Sequence, residues 1–185
     1  MNEIEAIHRA CRGDEEAWLL LVRTHQTALF RLAYLLLGDA DEAEDVAQDA
    51  LIRAYRGLAR FDPARPLRPW LLQIVRNQAH NRRRTARRYL AAVTRWWHQM
   101  GPPAVVPDPA TPAAGELLRQ AVQRLEPIDQ EVIYLRYFLE LSVAETAATL
   151  AIAEGTVKSR LSRALSRLRT VIEMDYPSLR GEEWS

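Results

Sequence analysis

Eight of the ten prolines in this 185-residue chain fall in two short segments, and that distribution restricts the fold more than any other feature. Pro63, Pro66 and Pro69 break the first segment, and Pro102, Pro103, Pro107, Pro109 and Pro112 fill the second. Proline fixes φ, lacks a backbone N–H and clashes with the carbonyl four residues back, so no continuous helix crosses either segment. Elsewhere apolar residues recur at spacings of three and four. Val, Ile and Thr never alternate with polar residues as they would in a half-buried strand. The expectation is an all-α fold of two small helical domains joined by a Pro-rich linker. The first domain is placed at residues 1–98, the linker at 99–115, the second domain at 116–178 and a tail at 179–185. The linker cannot bury enough surface to pack and is expected to be extended, at roughly 3 Å per residue.

Local signals place the helices. Asp14, following Gly13, is a good N-cap for a first helix that Gly38 stops. Its apolar positions are Trp18, Leu21, Val22, Leu29, Leu32, Ala33 and Leu36. Asp41 with Glu44 suggests the cap of a second helix, burying Ala43, Val46, Ala47, Ala50, Leu51 and Ala54. A third begins at about Arg68 or Pro69 and runs into the arginines at 82–88, with Trp70, Leu71, Ile74, Val75 and Ala79 as its buried stripe. Beyond the linker, helices are expected near 115–125, 128–139, 143–150 and 156–174. Ser142 and Glu145 form a capping box for the third of these. A five-residue turn between Leu150 and Thr156 makes the last two a helix-turn-helix, whose second member can enter a DNA major groove.

The net charge of +1 conceals a strong segregation. Residues 61–100 carry nine basic side chains and one acidic, whereas residues 1–60 carry seven basic and eleven acidic. Lys158, Arg160, Arg163, Arg167 and Arg169 follow one another from Thr156 to Thr170 with no acid between them. Compact cationic segments of this kind are the footprint of a polyanionic partner. On the last helix Val157, Leu161, Leu165, Leu168 and Ile172 form the inward stripe, leaving Lys158, Ser159, Ser162, Arg163, Ser166 and Arg167 outside. Gln73, Arg76, Asn77, His80, Asn81 and Arg84 similarly occupy the outer surface of the third helix. Guanidinium, amide and hydroxyl groups read base edges and grip phosphates.

Other functions find little support. One cysteine, Cys11, excludes an internal disulfide framework, and no stretch resembles a signal peptide or a membrane span, so a cytoplasmic protein is expected. His8, Cys11 and His25 are too scattered for a zinc site. There is no Gly-rich phosphate loop and no nucleophile–base arrangement. No catalytic residue, metal, cofactor or small-molecule substrate is therefore expected, and the chain is read as a binding protein and not an enzyme. A free-standing helix-turn-helix regulator is the alternative reading, but it leaves the basic third helix and the acidic second helix without a role.

Two stretches also resemble a known family. RLEPIDQEVIYLRYFLELSVAETAATL and EGTVKSRLSRALSRLR, within 124–169, are similar to region 4 of the bacterial sigma-70 family. LLGDADEAEDVAQDALIRAYRGLARFDPARPLRPWLLQIVRNQAHNRRR, residues 36–84, is similar to region 2 of its extracytoplasmic-function members. The resemblance implies a sigma factor that directs the RNA polymerase core to promoters and initiates transcription. It implies that Thr156, Lys158, Ser159, Arg160, Ser162, Arg163 and Arg167 read the −35 element. It implies −10 recognition and melting by Phe61, Arg68, Gln73, Arg76, Asn77, His80, Asn81 and Arg84. Glu44, Asp45, Gln48 and Asp49 become contacts to the clamp coiled coil of the polymerase β′ subunit. The β flap, promoter DNA and a regulating anti-sigma factor complete the implied partners. The linker would thread toward the RNA exit channel, with Trp96 and Trp97 as an anchor or as ordinary packing. The sequence departs from the family at Ala151-Ile152-Ala153, where Gly-Ile-Ser is usual. Ala151 is thus expected in a left-handed conformation, and Ala153 leaves the last helix without a side-chain cap, at a cost of about 1 kcal/mol.

Overall fold

The structure, a computed structural model, describes residues 2–97 and 114–179, and of residues 87–97, 114 and 177 the backbone only. All regular structure among the described residues is helical. Helix α1 spans Glu3–Ala10, α2 Glu15–Leu37, α3 Ala40–Gly57 and α4 Leu67–Trp97. The second half holds α5 at Ala114–Gln123, α6 at Pro127–Ile133, α7 at Val143–Leu150 and α8 at Glu154–Asp175. Most of the expected linker, with its five prolines, lies outside the described residues, as do the side chains of Trp96 and Trp97. Its last two positions, Ala114 and Gly115, already belong to α5.

In the first half α2, α3 and α4 pack on one another and α1 closes one end. Ala43, Ala47, Ala50 and Ala54 line the buried side of α3. Their small side chains let the backbones of α2 and α4 approach closely. Leu21, Leu29 and Leu32 of α2 meet Leu71, Leu72 and Val75 of α4 in the core, where each fully buried Leu contributes about 1.5–3 kcal/mol. Asp14 accepts a hydrogen bond from the Ala17 amide at 3.0 Å, and Gly38 ends α2 at φ 80°, as their residue types predict. Gly38 reverses the chain so tightly that the next residue is already a cap. Asp39, not the expected Asp41, accepts from the Glu42 amide at 2.8 Å and opens α3. Pro69 is tolerated because it stands in the first turn of α4, where its missing N–H would have no intrahelical partner. Helix α1 was not expected. Asn2 caps it through the Glu5 amide, and Ala6, Ile7 and Ala10 bury its inner face.

In the second half the expected helix at 128–139 is two structures in series. α6 ends at Ile133 and the chain continues as a single π-helical turn over Tyr134–Phe138. Tyr134 is wholly buried, with the Phe138 ring edge-on at 5.5 Å, and burial pushes its phenol pKa up to about 12. The Gln130 amide donates to the carbonyls of Gln123 and Leu125, tying the α5–α6 turn. Ser142 and Glu145 form the expected capping box. Ala151 adopts φ 55° and ψ 45°, and Ala153 makes no side-chain cap bond. The turn between α7 and α8 is three residues, not five, because α8 begins at Glu154 directly after Ala153.

Candidate nucleic-acid interface

On α8, Val157, Ala164 and Leu168 are buried, and Leu161, Leu165 and Ile172 pack half-buried beside them. Lys158, Ser159, Ser162 and Arg163 are exposed on the opposite side, and Thr156 and Arg160 sit half-buried at its margin. The Arg163 Nε donates to the Ser159 carbonyl at 3.3 Å, and Ser159 Oγ donates to the Thr156 carbonyl at 3.1 Å. These bonds stay within the helix, so both side chains lie along it and face solvent. Arg167 is different. Its guanidinium pairs at 2.5 Å with Asp129 of α6, a carboxylate that is otherwise buried. It clamps α8 to α6 as well as standing on the cationic face.

The outer surface of α4 divides into two strips that the sequence could not separate. Asn77, Asn81 and Arg84 form an open strip, all exposed, with Arg84 donating to Asn81 at 3.2 Å. Gln73, Arg76 and His80 lie one helical step around and are half-buried. Arg76 Nε donates to Glu131 Oε2 at 2.8 Å, and His80 Nε2 lies 2.5 Å from Glu131 Oε1. Burial alone would raise the pKa of this carboxyl, but its contacts with His80 and Arg76 outweigh that and hold it below its ordinary value. At the start of α4, Arg68 Nη2 donates to the Leu139 carbonyl at 2.9 Å. Phe61 is turned inward, its ring 4.7 Å from that of Trp70, so it forms a wall beneath the 61–69 loop.

Glu44, Asp45, Gln48 and Asp49 are all exposed on α3. Gln48 donates to Glu44 at 3.2 Å, and Asp45 receives Arg82 of α4 at 2.8 Å. Helix α3 thus offers an anionic surface next to the cationic one of α4. Two apolar residues that sequence reasoning left out extend it. Ile52 and Tyr55 lie one and two turns beyond Gln48 on the same side and are 51 % and 44 % exposed. Their signal was that neither fits the Ala43–Val46–Ala50–Ala54 stripe.

The family model described as sigma-70 region 2 matches residues 21–89, and that described as sigma-70, region 4 matches residues 115–168. The chain is 40 % identical over 153 residues to the ECF RNA polymerase sigma factor SigL of Mycobacterium tuberculosis, spanning 80 % of this chain and 85 % of the relative. It is 32 % identical over 173 residues to the ECF RNA polymerase sigma factor SigW of Bacillus subtilis, spanning 88 % and 92 %. Among solved structures, CnrH in complex with the cytosolic domain of CnrY is similar at a TM-score of 0.71 and 27 % identity, over 94 % of this chain and 98 % of that one. The sigma factor RpoE in complex with the anti-sigma factor NepR, from Bartonella quintana, is similar at 0.65 and 30 %, over 85 % and 95 %.

Proposed function

The chain belongs to the sigma-70 family as a sigma factor of the extracytoplasmic-function class, and from that premise we propose a division of labour among its three charged surfaces. It directs the RNA polymerase core to promoters and initiates transcription, a binding activity without bond chemistry of its own. Helix α4 reads the −10 element through Arg68, Gln73, Arg76, Asn77, His80, Asn81 and Arg84, with Phe61 under the adjoining loop. Helix α8 reads the −35 element through Thr156, Lys158, Ser159, Arg160, Ser162, Arg163 and Arg167. The single observation behind this reading is that two cationic helices, in separate halves of one chain, accompany an anionic helix that DNA would repel. Helix α3, with Glu44, Asp45, Gln48 and Asp49 and the exposed Ile52 and Tyr55, is then a protein-binding surface. Its partner is the clamp coiled coil of β′, and region 4 meets the β flap.

The physical division is between affinity and opening. Phosphate contacts supply sequence-independent affinity, while side chains on base edges supply choice. Extruding a base of the non-template strand costs a few kcal/mol, and a pocket that holds it recovers part of that cost, so binding drives melting without hydrolysis. A free-standing regulator has no use for the region 2 surface.

Domain limits of 1–98 and 116–178, joined by 99–115, follow from the same reading. The RpoE relative is seen with an anti-sigma factor, which supports an anti-sigma factor as this chain's regulator. Among the described residues no helix is long and apolar enough to cross a membrane. We place the protein in the cytoplasm with its polymerase. The test adds purified protein to sigma-free core polymerase and maps transcript 5′ ends on fragmented genomic DNA. Starts downstream of a shared pair of motifs, lost with Asn77→Ala, are the expected result. Unchanged starts, alongside tight promoter binding by the protein alone, would overturn it.

A further inference from the structure

Asp129 of α6 is a carboxylate that none of the three charged surfaces uses. It is 2 % exposed, and its side chain receives Arg167 Nη1 of α8 at 2.5 Å, across 38 residues of chain. We propose that Asp129 is a positioning residue for −35 recognition: it holds the Arg167 guanidinium at a fixed place on the cationic face of α8, so that the N–H groups left over meet a promoter phosphate. The inference rests on the assignment of α8 as the −35 reader and adds to it a residue that touches no DNA.

Two arginines one helical turn apart on α8 are held in different ways. Arg163 leans back on its own helix, where Nε donates to the Ser159 carbonyl at 3.3 Å. Arg167 is held from outside α8. Ala164 and Leu168 are buried, so Arg167, three residues after the one and directly before the other, stands at the edge of the buried stripe and within reach of α6. A guanidinium carries five N–H donors in a planar fork, so a bond to Asp129 anchors the fork without exhausting it, and the side chain remains 55 % exposed. An arginine free in solvent loses rotamer freedom when it grips a phosphate. One that is already anchored loses less, a difference of roughly two- to tenfold in affinity. Asp129 does not release its partner to DNA, because a buried carboxylate without its cation is strongly unfavourable. Charge alone predicts the opposite effect. Asp129 is an anion behind a DNA-binding surface, and removing it should strengthen the attraction for a polyanion. Positioning predicts that removing it weakens binding.

The test measures how core polymerase carrying the full-length chain binds a double-stranded fragment with the two motifs found by transcript mapping. Asp129→Asn keeps the shape and removes the charge; it should weaken binding roughly two- to tenfold. In an Arg167→Ala background the same change should cost nothing further, since no guanidinium is left to position. Binding by Asp129→Asn that equals or exceeds wild type, or that falls equally in both backgrounds, would overturn the proposal. Arg167→Lys keeps both charges. Lysine pairs with Asp129 as a point charge and has no fork to extend beyond it, so this variant should bind more weakly than wild type. Should Asp129→Asn fail to fold, as judged by circular dichroism, Arg167→Lys decides: weaker binding supports the positioning role, and binding equal to wild type refutes it. Arg163→Ala separates the two ideas, since Arg163 lies outside the Asp129 contact. Binding that survives this change sinks the −35 assignment of α8. Binding that is weakened by it, with Asp129→Asn behaving as wild type, sinks the positioning role alone.

Discussion

Ala151 ends α7 at φ 55° and ψ 45°, a left-handed conformation in which Cβ crowds the following carbonyl oxygen. That crowding costs roughly 1–2 kcal/mol for any residue with a side chain, and glycine escapes it. Ala151 is exposed, so removing its methyl group sacrifices no core packing. Against the gain stands the greater freedom of glycine in the unfolded chain, about 0.4–1 kcal/mol. Ala151→Gly should therefore stabilise the α7–α8 unit by roughly 0.5–1 kcal/mol. Amide hydrogen exchange on the full-length protein reads this directly, because protection follows the free energy of local opening. Peptides from α7 and α8 should exchange about two- to fivefold more slowly. Ala148→Gly is the internal control. Ala148 is also exposed but lies within α7, where glycine should destabilise by roughly 0.5–1 kcal/mol. Opposite signs at the two positions are the expected result. The same sign at both would refute the claim that backbone strain at the turn sets the stability of the reading helix.

Two further outcomes follow from the same geometry. Arg163→Ala should weaken promoter binding and reduce the slope of log affinity against log salt by roughly 1, with denaturant unfolding unchanged. Arg167→Ala should also lower stability, by roughly 1 kcal/mol after solvent screening of a guanidinium that is more than half exposed, because it strands the buried Asp129. Equal unfolding curves for the two variants would show that the Asp129 clamp contributes nothing. His25 supplies a pH dependence. Burial lowers its pKa below the ordinary 6.5; Glu3, 3.0 Å away, pulls the other way without prevailing, and Arg68 pushes it further down. The unfolded chain thus binds the extra proton first. This group's contribution is fully present above about pH 6.5 and is lost as the pH falls below it. Equilibrium unfolding between pH 7.5 and 5.5, about a unit either side of that value, should show falling stability, and His25→Asn should flatten the slope. An unchanged slope in the variant would assign the effect elsewhere.

What could be read from the sequence was what is decided within a few residues of chain. Asp14, Gly38, Ser142 and Glu145 act on backbone groups three or four positions away, so their residue types sufficed to place helix ends. The alanine stripe of α3 and the apolar stripe of α8 follow helical spacing for the same reason. The strain of a non-glycine turn at Ala151 was legible too, because backbone sterics are local. Where two local signals competed, the sequence erred. Asp39 and Asp41 are both capping residues, and the tight reversal at Gly38 chose the nearer one. Helix α1 is too short to be stable alone, and it persists because Ala6, Ile7 and Ala10 bury against α2.

The candidate surface shows the limit more sharply. Residue types and spacing put Gln73, Arg76, Asn77, His80, Asn81 and Arg84 on the outer surface of one helix, where Asn77, Asn81 and Arg84 are exposed and Gln73, Arg76 and His80 half-buried. The sequence contains no information local to α4 that parts Arg76 and His80 from Asn77 and Asn81. That division comes from Glu131, 55 residues beyond Arg76, and from the Leu139 carbonyl, 71 residues beyond Arg68. Arg167 and Asp129 meet across 38 residues in the same way. Charge pattern along a chain announces that a cationic surface exists. Which of its charges are free depends on the acids that folding brings against it, and only the tertiary structure decides that.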